Sequence, residues 1–144
     1  MKPEADFDLH SFLPYLLNRA AEETSLNFQK VYKDRYGMLR TEWRVLVHLG
    51  RYGAMTATEI GKRADLHKTK ISRAVARLSE RGFLVRKEDG ADRRQELLEL
   101  SRTGQAAYRD LSTAAQEHNA ELASGMTDSE YAVLLRCLKA LTGR

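Results

Sequence analysis

The chain has 144 residues, room for one domain or one small domain with helical extensions, and 42% of them are hydrophobic, an ordinary share for a packed core. Its 24 Lys and Arg exceed 20 Asp and Glu for a formal charge of +4, and no apolar run approaches the roughly 18–20 residues a membrane span needs. One cysteine, Cys137, excludes an internal disulfide and a cysteine-based zinc site; with an opening that lacks the basic-then-apolar pattern of a signal peptide, the expected location is a reducing cytoplasm, with no membrane partner.

The first element is expected from about Leu9 to Tyr36. Phe12, Leu13, Leu16, Leu17, Ala20, Ala21 and Thr24 follow helical spacing there, Pro14 suits a first turn, and Ser11 or Asp8 is placed to cap it. Gly37 follows as a C-terminal cap, because glycine tolerates the left-handed conformation. A second helix is expected to start at Thr41, acting as N-cap, with Trp43, Leu46, Val47 and Leu49 as its apolar side, and to stop near Gly50 or Gly53. Thr56 and Glu59 form a capping-box pattern that opens a short third helix ending near Ala64. After an Asp65-Leu66 turn, a fourth helix is expected over Lys68–Arg81, with Ile71, Val75 and Leu78 as its buried stripe and Gly82 closing it.

The period then changes. Phe83–Glu88 and Glu96–Leu100 read as strands around a charged turn from Asp89 to Gln95, which makes a hairpin. Helical spacing returns from Ser101 through Leu111 and Leu122 to Gly125, and a second capping box, Thr127 and Glu130, opens a last helix carrying Tyr131, Leu134, Leu135, Leu138 and Leu141.

Charge is concentrated in the middle of this order. Between Gly61 and Arg94 stand eleven basic residues against five acidic ones, a net +6, while the rest of the chain nets −2. A charge run is often only a solvated helix face, but two short helices joined by a tight turn, the second basic and amphipathic, describe a helix-turn-helix. Such a helix fits the DNA major groove: its buried stripe anchors it while N-terminal side chains reach base edges. Lys68, Thr69, Lys70, Ser72 and Arg73 crowd the exposed N-terminal half of the fourth helix, and Arg77, one turn on, suits a phosphate. The hairpin places Arg93 and Arg94 at or near its tip, where a guanidinium can enter the narrow, negative minor groove.

The hairpin reads Asp92-Arg-Arg94-Gln-Glu-Leu-Leu98-Glu-Leu100-Ser101-Arg-Thr-Gly104. This resembles the wing signature of the MarR family of bacterial transcriptional regulators: D-x-R, three residues, L-x-L-[ST], two residues, G. Arg40-Thr41-Glu-Trp43-Arg44-Val-Leu46 resembles that family's second helix, and Ala64-Asp-Leu66 through Arg81-Gly82 its recognition helix and exit. The resemblance runs from about Leu9 to Leu141. It implies a mainly α fold: a winged helix-turn-helix with a two-stranded β-hairpin wing over residues 38–101, and a dimerisation region of terminal helices over 9–36 and 102–142. It further implies a homodimer on a pseudo-palindromic duplex operator with half-sites about one helical turn apart. Arg94 falls on the family's minor-groove arginine, Asp92 on its loop-fixing partner and Arg73 on its recognition-helix arginine.

Members of the family commonly release DNA when a small molecule, often an aromatic acid or phenol, binds between the two parts. Tyr15, Arg19, Trp43, Arg44 and His48, polar groups on otherwise apolar helices, are the ligand candidates here, each with a structural role as its alternative. Oxidation sensing through an N-terminal cysteine does not fit, since Cys137 sits among Leu134, Leu135 and Leu138. His10, His48, His67 and His118 are scattered, so no metal site and no cofactor are expected, and His67 is placed to precede or cap the recognition helix. An enzyme is not expected either, because no Gly-rich phosphate loop, paired-carboxylate motif or nucleophile elbow appears. A winged-helix module for protein interaction would have no need of the Lys68–Arg77 face with an Asp92/Arg94 wing.

Overall fold

The computed structural model describes residues 6–89 and 92–143, and only the backbone at 89 and 92–95. Six helices and one hairpin follow the expected order: α1 (Leu13–Tyr36), α2 (Arg40–Tyr52), α3 (Ala57–Ala64), α4 (Lys68–Glu80), β1 (Leu84–Asp89), β2 (Asp92–Leu100), α5 (Arg102–Ala123) and α6 (Asp128–Leu141).

The first expected helix is broken. Leu9–Ser11 form a separate 3-10 turn, and the Asp8 carboxylate accepts from the His10 N–H at 3.0 Å and the Ser11 hydroxyl at 2.7 Å. Phe12 is extended, and α1 begins beyond it with Pro14 in the first turn. A helix running through from Leu9 would need an N–H that Pro14 lacks, and the proline ring would strike the His10 carbonyl. The far end of α1 is closed as expected: Gly37 is left-handed (φ 62°), its N–H bonds the Lys33 carbonyl at 2.7 Å, and the Met38 N–H bonds that of Tyr32 at 3.2 Å.

The N-cap of α2 falls two residues earlier than expected, at Leu39, with no side chain capping the helix; Thr41 lies inside it. Its buried stripe is Glu42, Val45, Leu46 and Leu49, while Trp43 and Val47 are half-buried. Thr56 caps α3 by accepting the Glu59 N–H at 3.2 Å. Asp65, left-handed at φ 52°, makes the turn into α4, and His67 is the N-cap. Ile71, Ala74, Val75 and Leu78 bury the inner side of α4, which ends one residue before the expected Arg81.

Strands β1 and β2 pair antiparallel, Leu84 with Leu100, Arg86 with Leu98 and Glu88 with Glu96, with a register irregularity after Glu88. Pairing extends back to Asp92, so β2 is four residues longer than the expected Glu96–Leu100. Met55, just before α3, adds a short rung by exchanging both backbone hydrogen bonds with Leu98.

The core is continuous across the helices and the hairpin: Phe28 and Tyr32 of α1, Leu46 and Leu49 of α2, Ile60 of α3, Leu78 of α4, Phe83, Leu98 and Leu111 all belong to one cluster. Two glycines let α5 into it. A Cβ at Gly50 would sit 2.3 Å from the Tyr108 ring, and one at Gly104 would sit 1.9 Å from the Phe83 carbonyl oxygen. The Ser101 hydroxyl caps α5 by accepting the Gly104 N–H at 3.0 Å and donates to the Gly82 carbonyl at 2.5 Å. Helix α6 opens with the full reciprocal capping box of Thr127 and Glu130, and it buries none of its residues within the chain. Among the described residues no helix is long and apolar enough to cross a membrane.

Candidate nucleic-acid interface and the cavity behind it

Helix α4 presents one side to the core and the other to solvent. Lys68, Thr69, Lys70, Ser72, Arg73 and Arg77 are all exposed, alternating with the buried Ile71, Ala74, Val75 and Leu78. The packed stripe therefore fixes the helix while its outer face stays open to a partner. Among the described residues no carboxylate pairs with Lys68, Lys70 or Arg73. Arg77 is different: its Nε donates to Glu42 Oε2 at 3.0 Å, and half of its side chain remains exposed.

The hairpin follows α4 directly, and β1 packs against that helix. Arg86 pairs with Glu96 at 3.1 Å and Lys87 with Glu99 at 2.5 Å across the strands, so the cations of β1 are matched within the wing. Asp92, Arg93 and Arg94 lie at the start of β2, and their side chains fall outside the described residues.

Helices α1, α2 and α5 line an open cavity of about 430 Å³. Its aromatic wall is Phe28, Tyr32 and Trp43: Trp43 stacks on Tyr32 (centroids 5.8 Å apart, 12° between planes) and meets Phe28 edge-on at 5.2 Å. Its polar wall is Arg40, Arg44, His118 and Asn119, with Thr24 and Ser25. The Arg44 guanidinium donates to the Ala64 carbonyl at the end of α3, and Arg40 Nη2 lies 3.3 Å from Glu22 Oε2 of α1. His118 Nε2 is 2.9 Å from the Thr24 carbonyl. Burial raises the Tyr32 phenol above its ordinary pKa of 10.0, against the opposing pull of Arg40, so the hydroxyl is a neutral donor at physiological pH.

Of the five ligand candidates taken from the sequence, the cavity brings together Trp43 and Arg44. Tyr15, Arg19 and His48 are placed elsewhere. Tyr15 stands between the His10 ring and Arg19, and His48 Nδ1 is 2.6 Å from the Arg44 carbonyl, a histidine satisfied within its own helix. Arg40, Tyr32 and His118 were missed. In the sequence Arg40 belongs to the α2 opening and His118 to a set of scattered histidines, and nothing local marks Tyr32, because the wall forms only when three helices converge.

No group of three or more His, Cys, Asp or Glu among the described residues is arranged to hold a metal ion. The helices and the hairpin together form a winged helix-turn-helix fold, the fold of the transcriptional regulators this chain is similar to. A model of the MarR family matches residues 36–95, from the end of α1 into the wing. That match spans the winged part of the chain and makes it similar to the family's DNA-binding region. Among curated proteins it is 26% identical over 97 residues to the uncharacterized HTH-type transcriptional regulator YwoH of Bacillus subtilis, covering 67% of this chain and 70% of that one. It is 22% identical over 131 residues to the homoprotocatechuate degradative operon repressor of Escherichia coli, covering 91% and 88%. Among solved structures it resembles a MarR/EmrR family regulator from Acinetobacter sp. ADP1, with a TM-score of 0.84, 24% identity and coverage of 95% and 96%. It also resembles Bordetella bronchiseptica BpsR, described as regulated in DNA binding by 6-hydroxynicotinic acid, with a TM-score of 0.81, 23% identity and coverage of 90% and 98%.

Proposed function

We propose that the chain is a homodimeric repressor that binds a pseudo-palindromic duplex operator and leaves it when a small aromatic acid fills the cavity between α1, α2 and α5. The observation that carries the DNA reading is the outer face of α4, where Lys68, Lys70 and Arg73 stand exposed beside Thr69 and Ser72 on a helix locked from behind. Lysine and arginine pair with guanine O6 and N7 or with phosphates, and hydroxyls serve either. Arg94, with Asp92 and Arg93, supplies the wing contact to the minor groove.

Dimerisation is supported by apolar surface left open at the chain's ends. Phe7 is 66% exposed, Leu13 49%, Val133 49% and Leu141 56%. An amphipathic α6 with no buried residue has no reason to stay helical alone in water, so a second copy is the natural cover for 9–36 and 102–142. Release by an aromatic acid is supported by the cavity's chemistry: flat walls from Trp43, Phe28 and Tyr32 suit a ring, and Arg40 and Arg44 suit a carboxylate. The similar Escherichia coli repressor is named for a homoprotocatechuate degradative operon, and the DNA binding of the similar BpsR is described as regulated by 6-hydroxynicotinic acid, an aromatic carboxylic acid.

The test starts by selecting duplexes from a random pool with the full chain. Wild type should enrich a pseudo-palindrome, and Arg73→Ala should weaken binding and relax base preference at one position per half-site. A benzoate and hydroxybenzoate series should then release the duplex and change the emission of Trp43, the one tryptophan in the chain. No enrichment refutes the DNA reading; release without a change in Trp43 emission refutes the cavity as the effector site.

A further inference from the structure

Glu42 is the one charged side chain buried among the described residues, 1% exposed in the first turn of α2. A carboxylate in that position is costly, since desolvation outweighs its pairing unless the geometry is good, and a well-packed apolar residue is often at least as stable there. Its contacts point to a purpose other than stability. Glu42 Oε2 accepts from Arg77 Nε at 3.0 Å, on the recognition helix. Glu42 Oε1 has no hydrogen-bond partner and lies 3.9 Å from Arg81 Nη1, at the end of that helix. Arg81 in turn donates to the Gly37 carbonyl at 3.1 Å and to the Tyr36 carbonyl, at the end of α1.

A guanidinium is planar, so a bond through Nε fixes the plane of the whole group. Arg77 is thereby held from inside the domain with half of it exposed, one helical turn from Arg73 on the outer face of α4. We propose that Glu42 is a positioning residue for DNA recognition: it pre-orients Arg77 toward a backbone phosphate and, through Arg81, ties that contact to the end of α1. This rests on the DNA reading above. Glu42 also sits next to Trp43 and two residues before Arg44, both in the cavity wall, so a shift of α2 on ligand binding acts directly on Arg77.

The sign of one substitution separates positioning from plain electrostatics. Glu42→Gln removes a negative charge near a polyanion, so charge counting predicts tighter binding to every duplex. Positioning predicts weaker binding to the selected operator, by about tenfold, with unchanged or tighter binding to a scrambled duplex of equal length. Anisotropy titrations of the full chain on both duplexes read this, with thermal melts confirming the fold. Glu42→Gln in an Arg77→Ala background should lose little more than Arg77→Ala alone, because both changes break one contact. Glu42→Asp keeps the charge but shortens the reach, and should also lose operator preference, which covers the case in which the glutamine variant fails to fold. Operator binding unchanged or tightened in the soluble variants overturns the proposal, as do additive losses or equal losses on both duplexes. A wild type that prefers no duplex refutes the DNA reading itself and takes this proposal with it.

Discussion

Gly104→Ala measures how tightly α5 is joined to the base of the wing. A Cβ at this position would stand 1.9 Å from the Phe83 carbonyl oxygen, 3.0 Å from its carbon and 3.2 Å from Leu100 Cβ. The obstacle is backbone at the start of the hairpin, so no side-chain rotation relieves it. Restoring ordinary contact requires α5 to move away by more than about 1 Å, since carbon and oxygen pack at roughly 3.2 Å or more. That displacement strains the Ser101 N–H bond to the same Phe83 oxygen (3.0 Å) and the Ser101 cap on the Gly104 N–H (3.0 Å). Overpacking of this kind costs about 1–3 kcal/mol, the strained bonds about 1 kcal/mol more, and the better helix propensity of alanine returns about 1 kcal/mol. The net expectation is a loss of about 1–3 kcal/mol, a fall in Tm of roughly 3–10 °C. Thermal melts followed by circular dichroism read it, with Gly125→Ala as control because nothing lies within 4 Å of a Cβ there. A Gly104→Ala protein that melts with wild type refutes the close approach of α5 to the Phe83 backbone.

Removing the chain after Thr127 deletes α6 and should give monomers or insoluble protein by light scattering, whereas a well-folded dimer would refute the assigned interface. Asp110 joins α5 to α1: it accepts from the Tyr36 hydroxyl at 2.7 Å and from Arg35 at 3.0 Å, which together hold its carboxyl below the ordinary 3.8. A carboxylate with a depressed folded-state pKa contributes stability above its unfolded value and loses it as pH falls through the folded one. The stability difference between wild type and Asp110→Asn should therefore be constant near neutrality and shrink as pH drops from about 5 to about 3. A difference independent of pH would show that Asp110 is not held in this way. Arg94→Ala should weaken operator binding in the anisotropy assay, and wild-type affinity in that variant would remove the wing arginine from the docking.

Much of the fold was legible because its signals are local. Gly37, Thr56 and Thr127 terminate or begin helices through their own backbone conformation or hydroxyl, and Ile71, Val75 and Leu78 mark the buried side of α4 by spacing alone. Where local signals compete, one of them wins for a physical reason. Pro14 fits a first turn, yet the same missing N–H that makes it tolerable there prevents a helix from entering through Leu9. Thr41 is a good N-cap by type, but the chain enters α2 through an extended Leu39 instead. The rung between Met55 and Leu98 joins residues 43 positions apart, and neither flank announces it.

The cavity shows the limit most clearly. Its wall draws on α1, α2 and α5, so Trp43 and Arg44 could be picked from one helix while Arg40, Tyr32 and His118 gain meaning only from convergence. Glu42 is the opposite case, a signal present and unread. It stands at helical spacing with Val45, Leu46 and Leu49, so the buried stripe of α2 contains a carboxylate. Charge at a core position asks for a partner, and that partner, Arg77, lies on the helix expected to meet DNA.

Helix α4 is proposed to grip duplex DNA with its exposed cations. Operator affinity of wild type and of the Lys68→Ala, Lys70→Ala, Arg73→Ala triple variant, measured from low to high salt, tests it most directly. Each phosphate contact contributes about 0.9 to the slope of log affinity against log salt, so wild type should be steep. The triple variant, which loses three cations from each of two subunits, should flatten by up to about 5 in that slope. A shallow wild-type slope, or one that the triple variant leaves unchanged, would contradict the assignment of α4 as the DNA-reading helix.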